Sequence, residues 1–377
     1  MPTTYYSYAD ICLLPDFSAA HSRSDPICSP VMQFGYRKFK VPVLPANMAC
    51  TMDVNMARWM SANDYFYIMH RFNVDHRHPT NQDNYEFIKM ANREKWKTIS
   101  ISVGVQEEDK QFLRELSVMG YMVDYITIDI AHAHSARMKE MLEYIRTLRF
   151  ASTDSPYVTD GGRAWTSVKV SYKPFIIAGN VATPSACDDL VKWGADCVKV
   201  GIAQGDACTT YGQTGFGAPM FTCVQECAKS CPVPIIADGG VRMHGDFAKA
   251  IVAGAEMVMA GSVFAACKDS PAPSVFDHEA ADRFGREHAT YDALPNDIKE
   301  ITPKPIFIPV VTHKKYYGSA SEHNKGTKHH VEGRMVLLPC NGMTYAEKLT
   351  EIEECLQSSI SYSGGCLSSA DWGVINK

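Results

Sequence analysis

A glycine-rich segment around one cysteine offers the strongest candidate for chemistry in this sequence. Cys208 is followed by Thr209 and Thr210, and glycines stand on both sides, at positions 201, 205, 215 and 217. Such a density of glycine indicates a loop whose backbone adopts conformations that other residues avoid. A cysteine thiolate there can add to an electrophilic carbon, and threonine hydroxyls can relay protons. Cys208 is therefore the candidate nucleophile, with core packing as the alternative.

Glycines also follow two apolar runs near the end of the predicted sheet. One run ends in Asp238-Gly239-Gly240 and the next ends in Gly261-Ser262. Backbone N–H groups beside glycine can approach an anion closely, and α/β barrels often bind phosphate after their last two strands. Asp238 suits a ribose hydroxyl. The sequence predicts a phosphate site here, although glycine can also serve only to close a tight turn.

Isolated acids and bases give weaker candidates. Glu332 stands beside Gly333, where a carboxylate on flexible backbone could protonate a leaving group or activate water. His70 and Arg71 follow a predicted strand. They are predicted either to meet a cofactor phosphate or to belong to a solvated loop.

Two further groups contain residue types that bind metals. His132 and His134 follow a predicted strand, but hydrogen-bonded strand-end histidines are the favoured interpretation. Cys223, Cys227 and Cys231 have helical spacing, which matches neither a zinc ribbon nor a C-x-x-C motif. Core packing is favoured for these thiols.

Short apolar runs alternate with stretches of helical spacing along the chain. Eight runs are nearly continuous in hydrophobicity, as expected of parallel strands covered on both faces, at 41–46, 65–69, 98–105, 125–131, 175–180, 197–202, 234–240 and 257–262. Helices are predicted at 52–62, 85–92, 110–119, 135–148, 183–193, 220–229, 244–253 and 345–359. This α/β order fits an open doubly wound sheet or a closed barrel. Eight units favour a (β/α)8 TIM barrel, with the candidate residues at the carboxyl ends of its strands.

Three segments fit no repeating unit. Residues 151–173 and 268–312 are predicted insertions, while 314–333 is polar, contains three glycines and is predicted to be a mobile active-site loop. A plain surface linker is the alternative for that third segment. The whole chain, 1–377, is predicted to be one barrel domain.

Composition narrows the classes of partner. Of 377 residues, 46% are hydrophobic and 21% charged, which is enough to bury a core. A formal net charge of −5 offers no basic field for nucleic acid or membrane, and no apolar run reaches transmembrane length. Thirteen cysteines without a secretory signal predict reduced thiols and a cytoplasmic protein. A small-molecule partner is favoured.

Several motifs together resemble the family of IMP dehydrogenases and GMP reductases. They are Gly-x-x-x-Gly-x-x-Cys-Thr-Thr at 201–210, Ile-Ile-Ala-Asp-Gly-Gly at 235–240, Val-Met-Ala-Gly-Ser at 258–262, Pro-Ala-Asn-Met at 45–48, and the apolar segments at 66–72, 100–105, 126–132 and 177–181.

Residues 316–322, 331–333 and 356–362 look like the reductase branch of the Gram-positive bacterial type. Only 28 residues lie between Met69 and Thr98, which leaves no room for the regulatory domain that dehydrogenases usually carry there. Residues 314–333 also lack the arginine of the dehydrogenase flap.

The resemblance implies an NADPH-dependent oxidoreductase of purine salvage that converts GMP to IMP and ammonia through a thioimidate on Cys208. Thr210 and Glu332 would assist the departure of ammonia. The implied substrate-binding residues are Asn180, Asp238, Gly240, Gly261, Ser262, Tyr316 and Gly333. Asp129 is implied to contact the nicotinamide ribose, and it joins His70 and Arg71, which follow a predicted strand, as the predicted cofactor-binding residues.

The family also implies a homotetramer and a potassium ion held by backbone carbonyls of Ala203, Gly205 and Cys208. Members commonly have glycine where Ala203 stands, so the ion depends on the φ angle of that alanine. An IMP dehydrogenase-like activity, or reduction of a modified purine monophosphate, is the alternative function.

Overall fold

A computed structural model describes residues 4–72, 82–150, 173–300, 302–304, 310–325 and 329–375. The strands of this part of the chain are β1 (Ile11–Leu13), β2 (Met32–Phe34), β3 (Arg37–Phe39), β4 (Val43–Pro45), β5 (Ser100–Val103), β6 (Tyr125–Asp129), β7 (Phe175–Val181), β8 (Cys197–Val200), β9 (Ile235–Asp238), β10 (Met257–Ala260), β11 (Ser274–Phe276), β12 (Val311–Tyr317), β13 (Met335–Pro339) and β14 (Trp372–Val374).

Helices follow nearly every strand of the central sheet. They are α1 (Val54–Ala62), α2 (Gln82–Arg93), α3 (Glu107–Met119), α4 (Ala136–Thr147), α5 (Pro184–Lys192), α6 (Thr210–Thr214), α7 (Met220–Ser230), α8 (Gly245–Val252), α9 (Ser262–Ala265), α10 (His278–Asp292), α11 (Asn296–Lys299), α12 (Glu322–Lys325) and α13 (Tyr345–Tyr362). Within the described ranges, no helix is both long and apolar enough to cross a membrane.

Seven parallel strands form one curled sheet in the order β4-β10-β9-β8-β7-β6-β5. The first and last of them in the chain, β4 and β10, are direct neighbours, with Leu44 opposite Met259. This adjacency brings the ends of the chain's βα series together. The architecture is an α/β fold of the TIM-barrel kind, as predicted.

The predicted second strand, 65–69, is wrong as a continuous strand. It contributes one parallel bridge, from Met69 to Ile101 of β5. Side-chain hydroxyls take carbonyls that a β-ladder would use, since Tyr67 Oη donates to Thr98 O at 2.7 Å and Ser102 Oγ donates to Met69 O at 2.7 Å. The segment is nevertheless buried and occupies the gap between β4 and β5 in chain order.

One end of the sheet is closed by aromatic packing. Phe34, from the hairpin of β2 and β3, lies 5.0 Å from Phe66 and 5.2 Å from Phe175, measured between ring centroids. Phe175 begins β7 and Tyr125 begins β6, so this cluster covers the amino ends of the strands. Any cavity for a ligand must therefore open at the carboxyl ends.

Helix starts agree with local sequence signals. Thr183 caps α5, with its side chain accepting from the Ala186 N–H, and Pro184 is the first helical residue. Thr344 and Glu347 form a capping box at the start of α13. The helix after β7 and the final helix are thus fixed at the positions predicted for them.

Two of the three segments that interrupt the repeat contain more regular structure in their described residues than the sequence pattern indicates. Of the predicted insertion 151–173, all but its last residue lies outside the described residues. The insertion 268–312 contains β11, α10 and α11.

The predicted loop 314–333 begins as a strand, because β12 pairs with both β11 and β13. Lys314 is buried there and donates to Ser270 O at 3.0 Å and Ser274 Oγ at 3.1 Å, so its charge sits within the sheet.

The burial of His70 generates a pH-dependence of stability. Its side chain is 4% exposed, and its Nδ1 accepts from the Phe72 N–H at 3.2 Å. Burial lowers the pKa of His70 to about 4, against smaller opposing effects that include Asp83 and Asp53. The unfolded chain therefore binds a proton on this residue before the folded chain does, and stability falls as pH drops from about 6.5 to about 4.

We expect His70→Asn, whose Oδ1 can still accept from Phe72, to remove about 3 kcal/mol of that pH-dependent loss. Urea unfolding of both proteins at pH 7 and pH 4.5 measures it. An equal loss of unfolding free energy between pH 7 and pH 4.5 in both proteins would contradict the lowered pKa of His70.

Candidate active site

A cavity of about 450 Å³ opens at the carboxyl ends of the parallel strands. It is large enough for a nucleotide-sized ligand. Its lining includes every predicted site residue but one: Cys208, Thr210, Glu332, Asn180, Asp238, Gly240, Gly261, Ser262, Tyr316, Gly333, Asp129, Arg71, Ala203 and Gly205. His70 is the exception, because its side chain is buried and does not line the cavity.

Three side chains form a continuous hydrogen-bonded chain at one wall. Cys208 Sγ donates to Thr210 Oγ1 at 3.2 Å, and Thr210 Oγ1 donates to Glu332 Oε2 at 2.7 Å. Cys208 and Glu332 are far apart in sequence, yet a single hydroxyl links the thiol to the carboxylate. A proton can therefore pass between sulfur and carboxylate through Thr210.

Backbone pairing holds that chain of side chains in place. Cys208 forms an antiparallel bridge with Gly333, and the Thr209 N–H donates to Glu332 O at 2.9 Å. The Arg334 N–H donates to Ala207 O at 2.8 Å on the other side of the bridge. The returning segment after β12 is thus fastened to the cysteine loop on either side of Cys208.

Gly333 is required by this close approach. A Cβ added there would lie 2.8 Å from the Ser321 backbone nitrogen, closer than real Cβ atoms come. Ser321 itself forms a bridge with Gly333. The glycine therefore lets three backbone segments meet beside the thiol.

A buried lysine organises the floor of the cavity. Lys199, in the middle of β8, is 2% exposed, and its Nζ lies 2.9 Å from Asp129 Oδ1 and 2.5 Å from Asp238 Oδ2. Asn47 Nδ2 donates to the other oxygen of Asp129 at 2.9 Å, and Asn180 Nδ2 donates to Asp238 Oδ2 at 2.8 Å. The ends of four adjacent strands, β6 to β9, are joined through one ammonium.

The pKa shifts in this network favour its charged forms. Burial opposes the charge on Lys199, but Asp129 and Asp238 outweigh it and raise the pKa of the ammonium. Burial likewise raises the pKa of Asp129, but Lys199, Arg71 and Asn47 outweigh it, and the net pKa is below its ordinary value. Asp129 is therefore an anion that can accept hydrogen bonds from a ligand.

Asn180 has an acceptor to offer a ligand. Its Nδ2 is used by Asp238 and by the Gly201 carbonyl, at 2.8 and 2.6 Å. Its buried Oδ1 has no hydrogen-bond partner in the described structure. Because an unpaired buried acceptor is costly, a donor on a bound molecule would complete this group.

The backbone of the cysteine loop approaches β9 closely. A Cβ on Gly201 would overlap the Asp238 carbonyl, and Gly201 has φ +141°. Ala203 has φ +66°, in the left-handed region that favours glycine, so this alanine is strained by about 1 kcal/mol.

The predicted potassium site is not supported by a further observation. Of its three carbonyls, that of Gly205 already accepts from the Cys208 N–H at 3.0 Å, and Ala203 has the strained φ. The potassium ion stays a prediction.

The end of the cavity predicted for phosphate has one arginine, Arg242. Its Nη2 lies 2.8 Å from Asp206 Oδ1 and donates to Gln204 O at 3.2 Å, so it ties the cysteine loop to the turn after β9. Tyr316, from β12, reaches the same end: its hydroxyl occupies the space that a Cβ on Gly261 would take. Burial raises the pKa of Tyr316, which keeps that hydroxyl a donor.

Arg71 also lines the cavity. Its guanidinium carbon is 4.6 Å from the centre of the Phe72 ring, and its buried Nε has no hydrogen-bond partner in the described structure. Arg71 also helps to lower the pKa of Asp129. A cation and an anion are thus available together beside the cavity.

Sequence reasoning missed Lys199, Arg242 and Asn47 as site residues. Lys199 had a signal, since a lysine in the middle of an otherwise apolar run requires a buried partner. Asn47 stands directly after one predicted strand and Arg242 two residues after another, where site residues of a barrel are expected. Their partners, however, come from other strands and are visible only in the fold.

Comparison with known proteins identifies the family of this chain. A family model described as IMP dehydrogenase / GMP reductase domain matches residues 5–155 and 151–366. A GMP reductase of Mesoplasma florum is 40% identical over 96% of this chain and 93% of its own length. GMP reductases of Leptothrix cholodnii and Staphylococcus carnosus are also 40% identical over 96% of this chain, and over 91% and 92% of their own lengths. The chain therefore belongs to the IMP dehydrogenase / GMP reductase family.

Proposed function

We propose that this protein is an NADPH-dependent GMP reductase, which converts GMP to IMP and ammonia. The observation that carries the proposal is the chain Cys208–Thr210–Glu332, at 3.2 and 2.7 Å, in a cavity of nucleotide size. A nucleophile, a relay and an acid in one line are what the substitution of an amino group at an aromatic carbon requires. The similarity to GMP reductases over 96% of the chain supports the same activity.

Cys208 is the nucleophile of the first half-reaction. Its sulfur bonds to C2 of guanine as the thiol proton passes through Thr210 to Glu332. The C2–N bond then breaks, the protonated amino group leaves as ammonia, and a thioimidate joins C2 to sulfur. Thr210 is positioned for both transfers because its hydroxyl contacts the thiol and the carboxylate at once.

In the second half-reaction hydride reaches C2 and the C2–S bond breaks. NADPH supplies that hydride. Cys208 departs as a thiolate and regains its proton, so the sum is GMP, NADPH and two protons giving IMP, NADP⁺ and ammonium. The protein's contribution is a fixed sulfur at one face of the purine and a relay that returns a proton to it.

The residues present fit a dinucleotide. Arg71 has a buried N–H without a partner, suited to a phosphate, and the anionic Asp129 can accept from a ribose hydroxyl. We propose that these two residues hold the cofactor. His70 is withdrawn from direct contact, because its ring does not line the cavity.

The nucleotide is proposed to lie across the strand ends. Asp238 and Asn180 would hold the ribose and the base edge, while Gly240, Gly261, Ser262 and Tyr316 would surround the phosphate, and Gly333 would face the purine. A homotetramer in the cytoplasm, with potassium as an optional ion, completes the proposal.

The activity is tested by mixing the purified protein with purine monophosphates and either NADPH or NAD⁺. Absorbance at 340 nm should fall with GMP and NADPH, with equimolar IMP and ammonia formed. NAD⁺ reduction with IMP, and no reaction of GMP with NADPH, would instead select the dehydrogenase direction. Greater activity with a modified purine would correct the substrate.

Removing the nucleophile should abolish turnover. We expect Cys208→Ala to lose roughly 10³-fold or more in kcat, because no covalent intermediate can form, while GMP binding by calorimetry is kept. Cys366→Ser, which changes an exposed thiol, is the matched control and should keep full activity. Comparable turnover by both variants would contradict the mechanism.

The relay should act on kcat rather than on KM. Glu332→Gln keeps the shape of the side chain but cannot take up the proton, and we expect kcat to fall by about 10² to 10⁴ with KM for GMP within a few-fold. Glu354→Gln, at an exposed position on α13, is the control. Steady-state kinetics give kcat and KM for both variants. An unchanged kcat for Glu332→Gln would exclude the proton relay through Thr210.

Asp206 and Arg242 should affect phosphate affinity in opposite directions. Arg242→Met removes positive charge from that end of the cavity, so KM for GMP should rise roughly tenfold. Asp206→Asn removes a negative charge while its amide oxygen can still accept from Arg242, so KM should fall by a few-fold. The KM for GMP of each variant is measured at two salt concentrations. A change of KM in the same direction for both variants would contradict a phosphate at this end of the cavity.

A further inference from the structure

The strand β12 reaches both ends of the segment that follows β10. Lys314 and Tyr316 are two residues apart in β12, so their side chains lie on the same face of the strand. The Tyr316 hydroxyl lies against Gly261, at the start of α9. The Lys314 Nζ donates to the carbonyls of Lys268 and Ser270, beyond the end of that helix, at 3.3 and 3.0 Å. β12 therefore contacts this segment at two separate points.

Lys314 is a buried charge that does not reach the cavity. Its side chain is 2% exposed, and it is not among the residues that line the cavity. A third hydrogen bond goes to Ser274 Oγ at 3.1 Å, so all three N–H groups of the ammonium have uncharged acceptors. Burial lowers the pKa of Lys314, against smaller opposing effects that include Cys340 and Asp269. The charge is therefore less favourable here than in water, and the side chain contributes through the attachment that its hydrogen bonds make.

We propose that Lys314 is a positioning residue for the phosphate of the substrate, and that it acts by fixing the Tyr316 hydroxyl at the phosphate end of the cavity. This role rests on the proposed function, because GMP is the ligand whose phosphate Tyr316 would contact. Lys314 does not touch the nucleotide itself.

A run of hydrogen bonds connects Lys314 with Gly261. Ser270 accepts from the Lys314 ammonium through its carbonyl, and its Oγ donates to Ala265 O at 2.8 Å. The Ala265 N–H in turn donates to Gly261 O at 2.9 Å. The segment from 261 to 270 is thus tied together from one end to the other. The ammonium therefore sets the position of β12 against the same segment that Tyr316 contacts.

Backbone pairing alone does not attach β12 to the barrel. β12 pairs with β11 and β13, and these three strands form a sheet separate from the seven parallel strands. Side-chain hydrogen bonds join β12 to the barrel beside Tyr316. The Cys50 thiol, a weak donor, bonds to Tyr317 O at 3.2 Å. The hydrogen bonds of the Lys314 ammonium are charge-assisted and therefore stronger.

Glu332 is held by attachments of its own. The Thr209 N–H donates to Glu332 O at 2.9 Å, and Cys208 forms a bridge with Gly333. These contacts lie at the acid itself, far along the chain from Lys314. Loss of the ammonium should therefore change the affinity for the phosphate more than the chemistry at Cys208.

Adjacent lysines provide a matched pair for the test. Lys314→Met keeps an unbranched side chain of similar length but removes the ammonium, and Lys315→Met removes the charge of the exposed lysine on the opposite face of β12. We measure KM and kcat with GMP and NADPH, and Kd for GMP by calorimetry. We expect Lys314→Met to raise KM and Kd by roughly fivefold to tenfold with kcat within about twofold, and Lys315→Met to match the wild type.

A double-mutant cycle separates positioning from a merely structural role. Tyr316→Phe removes the hydroxyl, and we expect it alone to raise KM for GMP about tenfold. Because Lys314 acts through that hydroxyl, adding Lys314→Met to Tyr316→Phe should raise KM further by less than about twofold. Two independent effects would multiply instead.

Ser270→Ala provides a second route should Lys314→Met fail to fold. It removes only the hydroxyl that bonds to Ala265 O and leaves the carbonyl that accepts from Lys314. We expect KM for GMP to rise by about threefold with kcat unchanged, and no further rise when Ser270→Ala is combined with Tyr316→Phe.

Two results would overturn the positioning role while the wild type and Lys315→Met both turn GMP over. They are an unchanged KM and Kd for GMP in Lys314→Met, or increases in KM that multiply in the double variant. A wild type that binds GMP without turnover would overturn the proposed function alone, and the Kd values then test Lys314. A wild type that does not bind GMP would overturn both.

Discussion

The ammonium of Lys199 is the charge around which the cavity is built. It lies 2.9 Å from Asp129 and 2.5 Å from Asp238, and without it two carboxylates would face each other in a buried space. Such a buried ion pair adds little net stability, because desolvation offsets the attraction. Its value is positional. It fixes an anion at the end of β6, an anion at the end of β9 and the amide of Asn180 between them.

A second constraint acts across the opening of the cavity. The carboxylate of Glu332 reaches Thr210 only because the backbone of Gly333 pairs with Cys208 and a side chain at 333 would strike Ser321. This segment follows β12, a strand outside the seven-stranded sheet. The buried Lys314 of β12 donates to Ser270 O and so anchors that strand. The barrel thus contributes Lys199, Asp129 and Asp238 to the cavity, while the segment after β12 contributes the Glu332 carboxylate.

The sequence predicted most of the elements and the position of Cys208 at the cavity, for identifiable physical reasons. Continuous apolar runs revealed the buried parallel strands, and glycine density marked the loop of Cys208 because few other residues tolerate its backbone. The run 65–69 was wrongly predicted to be a continuous strand, because its hydrophobicity reflects burial. The Tyr67 hydroxyl there donates to the Thr98 carbonyl, which a β-ladder would otherwise use. Lys199 and Arg242 escaped because their roles depend on carboxylates that the fold brings from other segments.

The proposed reaction depends on a covalent bond between Cys208 and the purine. This bond is tested by mixing the protein with GMP in the absence of NADPH, quenching in acid and analysing peptide 200–229 by mass spectrometry. We expect an adduct on Cys208 with the mass of GMP less ammonia, which disappears when NADPH is added before the quench. A protein that consumes NADPH with GMP yet never carries this adduct would contradict it.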